Sequence, residues 1–281
     1  MRDLADRACF VLCLGLGRML RSARYTKVWI ADQDGGLQVQ KHRRFYAALL
    51  VWTSGPLLWL LDAGVRVLAQ RDWEERERLV YRRLRGTSIR IDAQGMLVLP
   101  RLAGETLATL LEDPALEEPV RKMAIERAVI ALAEFHCLGF THADAMAENV
   151  LVDVEAGVAH WFDFETIHDS SRPIAWRRAD DVRTLLVTCL LRTPPEKFAE
   201  TLQLILDVYE DLSRRSCEAA KADEQVTRLL APSFASAWRR PLPFHLSQAG
   251  SSFQCFREIG RLLGERLDGR INVAGQNDER G

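Results

Sequence analysis

Six cysteines stand at positions 9, 13, 137, 189, 217 and 255, yet none forms a CxxC pair or falls at a Cys/His metal spacing. A cysteine-built metal site or dithiol centre is therefore not encoded. Most of the six lie in apolar runs, such as "LLVTCLL" around Cys189, and are expected to be reduced and largely buried in a cytosolic compartment. Net charge is also nearly absent, at −1, so bulk charge names no partner and gives no reason to expect nucleic acid. No internal repeat is visible, which removes solenoids and propellers.

Long unbroken apolar runs are missing too. "ACFVLCLGLGRML" (8–20) follows Arg2 and Arg7. Asp3 and Asp6 spoil it as a leader. The second run, Phe45 to Leu61, is too short for a confident span and is broken at Ser54-Gly55-Pro56. Its basic flanks, "KHRR" and Arg66, and its two tryptophans suit a membrane interface; a buried helix pair under a sheet is the other reading.

What is present is ample. The 281 residues, 48% apolar and 27% charged, allow one large domain or two lobes around a real core. Charge is divided unevenly. Residues 1–101 hold 18 Lys/Arg and 10 Asp/Glu, a balance of +8; the rest hold 20 and 29, a balance of −9. That division points to an anionic ligand or surface facing the first part, though soluble basic helices give the same numbers.

Residues 1–24 read as a helix. "KVWIAD" (27–32) and "LQVQK" (37–41) read as strands joined at Gly35-Gly36. After an apolar insertion at 45–68, "DWEERERLVYRRLRG" (72–86) predicts a helix with Trp73, Val80 and Leu84 toward a core and Gly86 at its end. Two strands follow around Gln94-Gly95. A helical region begins with "GETLATLLED" (104–113), and a helix over 118–139 carries Met123, Ala128, Ile130, Leu132 and Phe135 at helical spacing. Strands at 149–154 and 159–164 flank a turn at Glu155-Ala156-Gly157, and from Asp180 the chain reads as helices. Residues 270–281 are expected to be a disordered tail. A small β-rich part at 25–102 thus precedes a larger helical part at 103–269, with a ligand expected between them.

Between the long helix and the strand pair lies "THADAMAENVLVD" (141–153). Asp144 is an acceptor able to orient a hydroxyl and take its proton. Asn149 offers an oxygen suited to Mg²⁺, and Asp163, 14 residues further on, would reach the same end of a tight hairpin. Mg²⁺ takes one or two protein oxygens beside phosphate oxygens, so the three residues form a reasonable phosphoryl-transfer set. Turn capping by Asp and Asn is the bland alternative.

"HADAMAENVLVD" followed by "WFDFE" resembles the H-x-D-x-x-x-x-N catalytic loop and the D-F-G metal motif of the protein kinase-like superfamily. "LAEFHCLGFTH" (132–142) is similar to the helix end before that loop, and "ADDVRTLL" (179–186) to the aspartate-led helix after it in RIO-type, aminoglycoside-type and lipopolysaccharide kinases. "GMLVLPRLAGETLATLL" (95–111) resembles the strand and hinge between lobes. A basic patch after the lysine strand, and then an apolar insertion, look most like the bacterial lipopolysaccharide kinase branch (Kdo/WaaP-type). The resemblance covers about residues 27–190.

It implies an α+β fold of two kinase-like lobes, with ATP and Mg²⁺ as cofactors. Asp144 would be the catalytic base, and Asn149 and Asp163 would hold the metal. Lys41 would be the phosphate lysine; one solvated patch of Lys41, Arg43 and Arg44 is the competing reading. Glu74, Glu75 and Glu77 share the partner helix. Glu77, with Val80 and Leu84 at +3 and +7, is favoured, and Glu75 comes second. His142 would pack under the loop. Asp181 would accept backbone N–H bonds from the loop, or else cap a surface helix beside Asp180. His136, His168 and the tryptophans at 52, 59 and 73 read as structural.

Departures are plain. Ala143 stands where relatives have Arg or Gly, so no basic residue precedes Asp144 to receive an activation-loop phosphate. Glu165 replaces the D-F-G glycine, which suits a fixed metal site. No G-x-G-x-x-G precedes Lys41, and "ETIHDSSRPIAWRRADD" holds no A-P-E. The expected activity is phosphoryl transfer from ATP to a hydroxyl of a lipopolysaccharide core sugar or another anionic, membrane-borne glycan. The expected location is the cytoplasm or the cytoplasmic face of the inner membrane. A Ser/Thr protein kinase, a small-molecule kinase and a membrane-linked pseudokinase are the alternatives.

Overall fold

A computed structural model describes residues 26–33, 36–43, 64–93, 95–215, 230, 260–262 and 264–265. The expected helix at 1–24, the turn residue Gly35, the apolar segment over 45–63 and the tail at 270–281 lie outside the described residues. Within them the chain is mixed α+β, with antiparallel sheets and several helices.

β1 (Thr26–Gln33) and β2 (Gly36–Arg43) pair antiparallel in full register, from Thr26 opposite Arg43 to Gln33 opposite Gly36. Strand alternation puts Lys41 and Arg43 on one face, and both are buried while His42 between them is exposed. β2 then pairs with β5 (Leu97–Pro100), and β5 with β4 (Arg90–Ile91), giving the order β1-β2-β5-β4. Leu97, Val98 and Leu99 are all buried, so both faces of β5 are covered.

α1 (Gln70–Arg85) buries Trp73, Glu77, Val80 and Tyr81, the stripe its spacing predicts with one carboxylate included. Gly86 ends it at φ 62, in the left-handed conformation that a Cβ disfavours, with its amide on the Arg82 carbonyl. Arg82, Arg83 and Arg85 occupy the last turn, where cations suit the helix dipole.

β3 (Val65–Val67) pairs with β9 (Thr166–His168), and Leu68 is buried. The last residues of the expected 45–68 insertion therefore belong to the folded core. They are recruited by a long-range ladder that no local periodicity announces.

The stretch expected to begin helical at 104 first makes β6 (Glu105–Thr106), which pairs with β7 (Val150–Asp153). Gly104 explains the bend. Its φ is 94, and a Cβ there would sit 2.3 Å from the Val152 carbonyl oxygen. Only a residue without a side chain lets the two backbones lie so close. α2 (Leu107–Glu112) follows, capped by the Thr106 hydroxyl on the Thr109 amide.

α3 (Glu118–Cys137) packs on the hairpin of β7 and β8 (Val158–Trp161) and on α5 (Phe198–Arg215). Its buried face is Ala124, Ile125, Ala128, Val129, Leu132, Ala133, Phe135 and His136; Met123 and Ile130 are only partly covered. Of the two cysteines described, Cys189 is buried as expected, whereas Cys137 is exposed. Cys137 directly follows buried Phe135 and His136 on the helix, so the next position turns outward.

α4 (Ile174–Leu190) starts six residues before Asp180. Asp180 and Asp181 therefore lie in its interior, both buried, and neither caps a surface helix. One apolar cluster runs from Leu97 and Leu99 of the sheet through Leu107, Leu132, Phe135 and Phe164 to Leu186. Among the described residues no helix is long and apolar enough to cross a membrane.

Candidate functional site

The β7–β8 hairpin sets the geometry. Val150 stands opposite Trp161 and Asp153 opposite Val158, and beyond the ladder the Phe162 amide donates to the Asn149 carbonyl at 3.0 Å. Asn149 and Asp163 therefore share one end of the hairpin, as their spacing predicts. Asp163 is not in the strand, which ends at Trp161. It takes φ 68, a conformation uncommon for a non-glycine residue, and so turns the chain away from the hairpin.

The loop before β7 is held group by group. The amides of His142 and Ala143 donate to the two oxygens of Asp181, each at 2.7 Å. Ala143 also has positive φ, at 67, and those bonds help hold it there. The Ala147 amide donates to the Thr188 hydroxyl at 3.0 Å. Asn149 Nδ2 donates to both the carbonyl and Oδ2 of Asp144, each at 2.8 Å. With its NH₂ group so engaged, Asn149 keeps Oδ1 as its remaining acceptor.

His142 is fully buried against Trp161 and Phe164. Its Nε2 meets the Phe162 carbonyl at 3.0 Å, so that nitrogen carries the proton. Burial lowers its pKa, and it serves as a neutral brace between the loop and the Asp163 segment.

Beneath the loop lies a polar network that sequence reading missed. His136 joins Tyr209 Oη at 2.7 Å to Asp181 at 3.0 Å. His168 joins the Thr141 hydroxyl at 2.9 Å to Asp180 at 3.1 Å, and Arg183 pairs with Asp180. Arg76 of α1 donates to the Thr141 carbonyl at 2.6 Å. Burial pushes His168 down to about 4. Burial also opposes the Asp181 carboxylate, but His168 and the hydrogen bond from His136 bring it down to about 2. The adjacent aspartates of "ADD" were the visible signal; their partners lie elsewhere in the chain.

From the sheet side, Lys41 Nζ lies 3.2 Å from Glu77 Oε1 and 3.1 Å from Asp163 Oδ1. Glu77 is completely buried and also accepts from Trp73 Nε1 at 3.2 Å. Glu75 instead pairs with Arg71 at the surface, and Glu74 with Gln70. Burial works against the Lys41 charge, yet Asp163 and Glu77 outweigh it and hold its pKa above the ordinary lysine value. Lys41 is therefore a fixed cation.

Arg43 is not part of a solvated patch. It lies over the Trp73 ring at 4.9 Å, donates to the Leu68 carbonyl and stands 3.9 Å from Glu165. Glu165 also accepts from the Thr26 hydroxyl. Burial and the Asp163 charge push Glu165 up to about 7, against the pull of Lys41, Thr26 and Arg43.

Asp144, Asn149, Asp163, Lys41, Glu77, His142 and Asp181 thus all belong to one constellation. Among the described residues no three His, Cys, Asp or Glu side chains group as a metal cage. The Asp163 carboxylate, about one-third exposed, and the Asn149 amide oxygen instead suit a hard cation that takes its other ligands from water and phosphate. A fixed cation, two oxygen donors and an aspartate acceptor can hold a phosphate group against a hydroxyl. No protein-family model matches the chain, and no curated protein does.

Proposed function

We propose that the chain is an ATP- and Mg²⁺-dependent phosphotransferase with the two-lobed architecture of the protein kinase-like superfamily. The β1-β2-β5-β4 sheet with α1 would be its small lobe, and the helices from α2 onward its larger one. One observation carries the reading. A buried ion pair links Lys41 of β2 to Glu77 of α1, and the same lysine reaches Asp163, 122 residues away in sequence. A buried pair of this kind is a weak source of stability, because desolvation offsets its attraction. A fixed cation beside a part-exposed carboxylate fits a role with phosphate better.

In this reading Lys41 neutralises phosphate charge, and Glu77 holds it in place. Asn149 and Asp163 would hold the metal, which, bound with ATP, supplies charge neutralisation at the transferring phosphoryl group. Asp144 orients the acceptor hydroxyl and takes its proton, while Asn149 fixes the Asp144 carboxylate. Rate acceleration then comes from positioning and electrostatics.

The acceptor we favour is a hydroxyl of a lipopolysaccharide core sugar or a similar anionic, membrane-borne glycan, met at the cytoplasmic face of the inner membrane. The +8 balance of residues 1–101 and the exposed Val28, Trp29 and Ile30 of β1 support it. The test is transfer of label from γ-labelled ATP to purified lipopolysaccharide. Asp144→Asn should slow transfer by roughly 10²–10⁴-fold with an unchanged melting temperature. Equal transfer by wild type and variant would sink the assignment of Asp144. Label on protein rather than glycan would favour the Ser/Thr kinase alternative.

A further inference from the structure

Lys41 and Arg43 are two apart on one face of β2, and Asp163 and Glu165 are two apart in the segment they meet. Two charge contacts therefore run in parallel between the same two stretches, Lys41 to Asp163 and Arg43 to Glu165. The second is anchored more widely. Thr26, the cross-strand neighbour of Arg43, donates to Glu165. Arg43 donates to the Leu68 carbonyl, and the Leu68 amide donates back to the Glu165 carbonyl at 2.9 Å.

Arg43 also lies on Trp73, whose indole N–H holds Glu77, which holds Lys41. The contacts close into a ring: Lys41, Glu77, Trp73, Arg43, Glu165, and back along the chain to Asp163. Arg43 and Glu165 are 6% and 12% exposed at their side chains, so solvent screens this contact little.

We infer that Arg43 and Glu165 are positioning residues, a latch that fixes the Asp163 segment against β2 and so sets where the Asp163 carboxylate stands relative to Lys41. A glycine in place of Glu165 would remove the side-chain contacts with Arg43 and Thr26 and leave that segment tied by Lys41 and by the backbone bond from Leu68. The further claim, that the latch tunes metal-bound nucleotide affinity, rests on the phosphotransferase reading.

The test uses the full chain at pH 8 with Glu165→Gln, Arg43→Gln and the double variant. Gln keeps an acceptor for Thr26 and removes the charge facing Arg43. The first readout needs no ligand: amide exchange at Leu68 and along β9. Each single variant should speed exchange there about tenfold or more while α3 is unchanged, and the double variant should match the faster single. Unchanged exchange, or additive effects in the double variant, would overturn the latch. Should a charge removal unfold the chain, Thr26→Val leaves both charges and carries the same readout.

The second readout is the Kd for ATP with and without Mg²⁺. Glu165→Gln should raise the Mg²⁺–ATP Kd about tenfold or more, as loss of a residue orienting a metal ligand does, and leave the metal-free ATP Kd within about twofold. A general loss of fold would move both. Faster exchange with an unchanged Mg²⁺–ATP Kd would overturn the positioning role. If wild type binds no Mg²⁺–ATP while exchange behaves as expected, the phosphotransferase reading falls and the latch stands.

Discussion

His142 and Ala143 give their amides to Asp181, Ala147 gives its amide to Thr188, and Asn149 closes back on Asp144. Across the site, β1 leaves Val28, Trp29 and Ile30 in the open, and β2 reaches the loop side through Lys41 and Arg43. One half of the constellation is embedded in the core by neutral and charge-assisted hydrogen bonds. The other half is tethered by charge. Breaking supports of the loop should therefore cost stability first, whereas changes on the sheet side should be felt first by an anionic ligand.

The sharpest way to break that contrast is Asp181→Ala. It strands two buried amides and the His136 contact, and should destabilise the fold by about 3–5 kcal/mol in urea unfolding. A loss under about 1 kcal/mol would mean the loop is held by packing alone. Acid comes next. Burial puts the folded pKa of His168 at about 4, below its ordinary 6.5. Between those values the unfolded chain binds a proton that the folded chain does not. The share of stability that His168 contributes is therefore full above pH 6.5 and falls as pH drops toward 4, by roughly 3 kcal/mol, while Glu165, which binds its proton more tightly in the folded chain, contributes a slope of opposite sign. His168→Asn should flatten the His168 slope in unfolding curves taken from pH 7.5 to 4.5.

Gly104→Ala should cost at least about 2 kcal/mol, from positive φ and from the close approach of the Val152 backbone. Calorimetry would show it as a lower Tm. The smallest effects separate the candidate glutamates. Glu77→Gln keeps an acceptor for Trp73 and should cost about 1 kcal/mol while weakening ATP binding. Glu75→Ala breaks only an exposed pair and should change stability by about 0.3 kcal/mol, with ATP binding unmoved. Equal effects of the two on ATP would erase the distinction that burial draws between them.

Much of this was legible in the sequence because it followed local periods. Glu77 could be picked from its offset to Val80 and Leu84, and Asn149 and Asp163 from the length of one hairpin. Gly86 marked the end of α1. Other features carry no local signal. β3 and β9 have three residues each, too few for alternation, and find each other across 98 intervening positions. Arg43 lies beyond "LQVQK", the run that spells a strand in the sequence, so its shared face with Lys41 carries no local signal. His136 and His168 meet Asp181 and Asp180 only after α3, β9 and α4 have packed. Such a network is a property of assembly rather than of spacing.

In the proposed reading Lys41, Asn149 and Asp163 form a site for Mg²⁺-bound ATP. Melting temperature measured with ATP, with and without Mg²⁺, tests it in wild type and Asp163→Asn. A rise that needs both the metal and Asp163 is the expected result. No shift at millimolar ATP, or an equal shift in the variant, would contradict the claim.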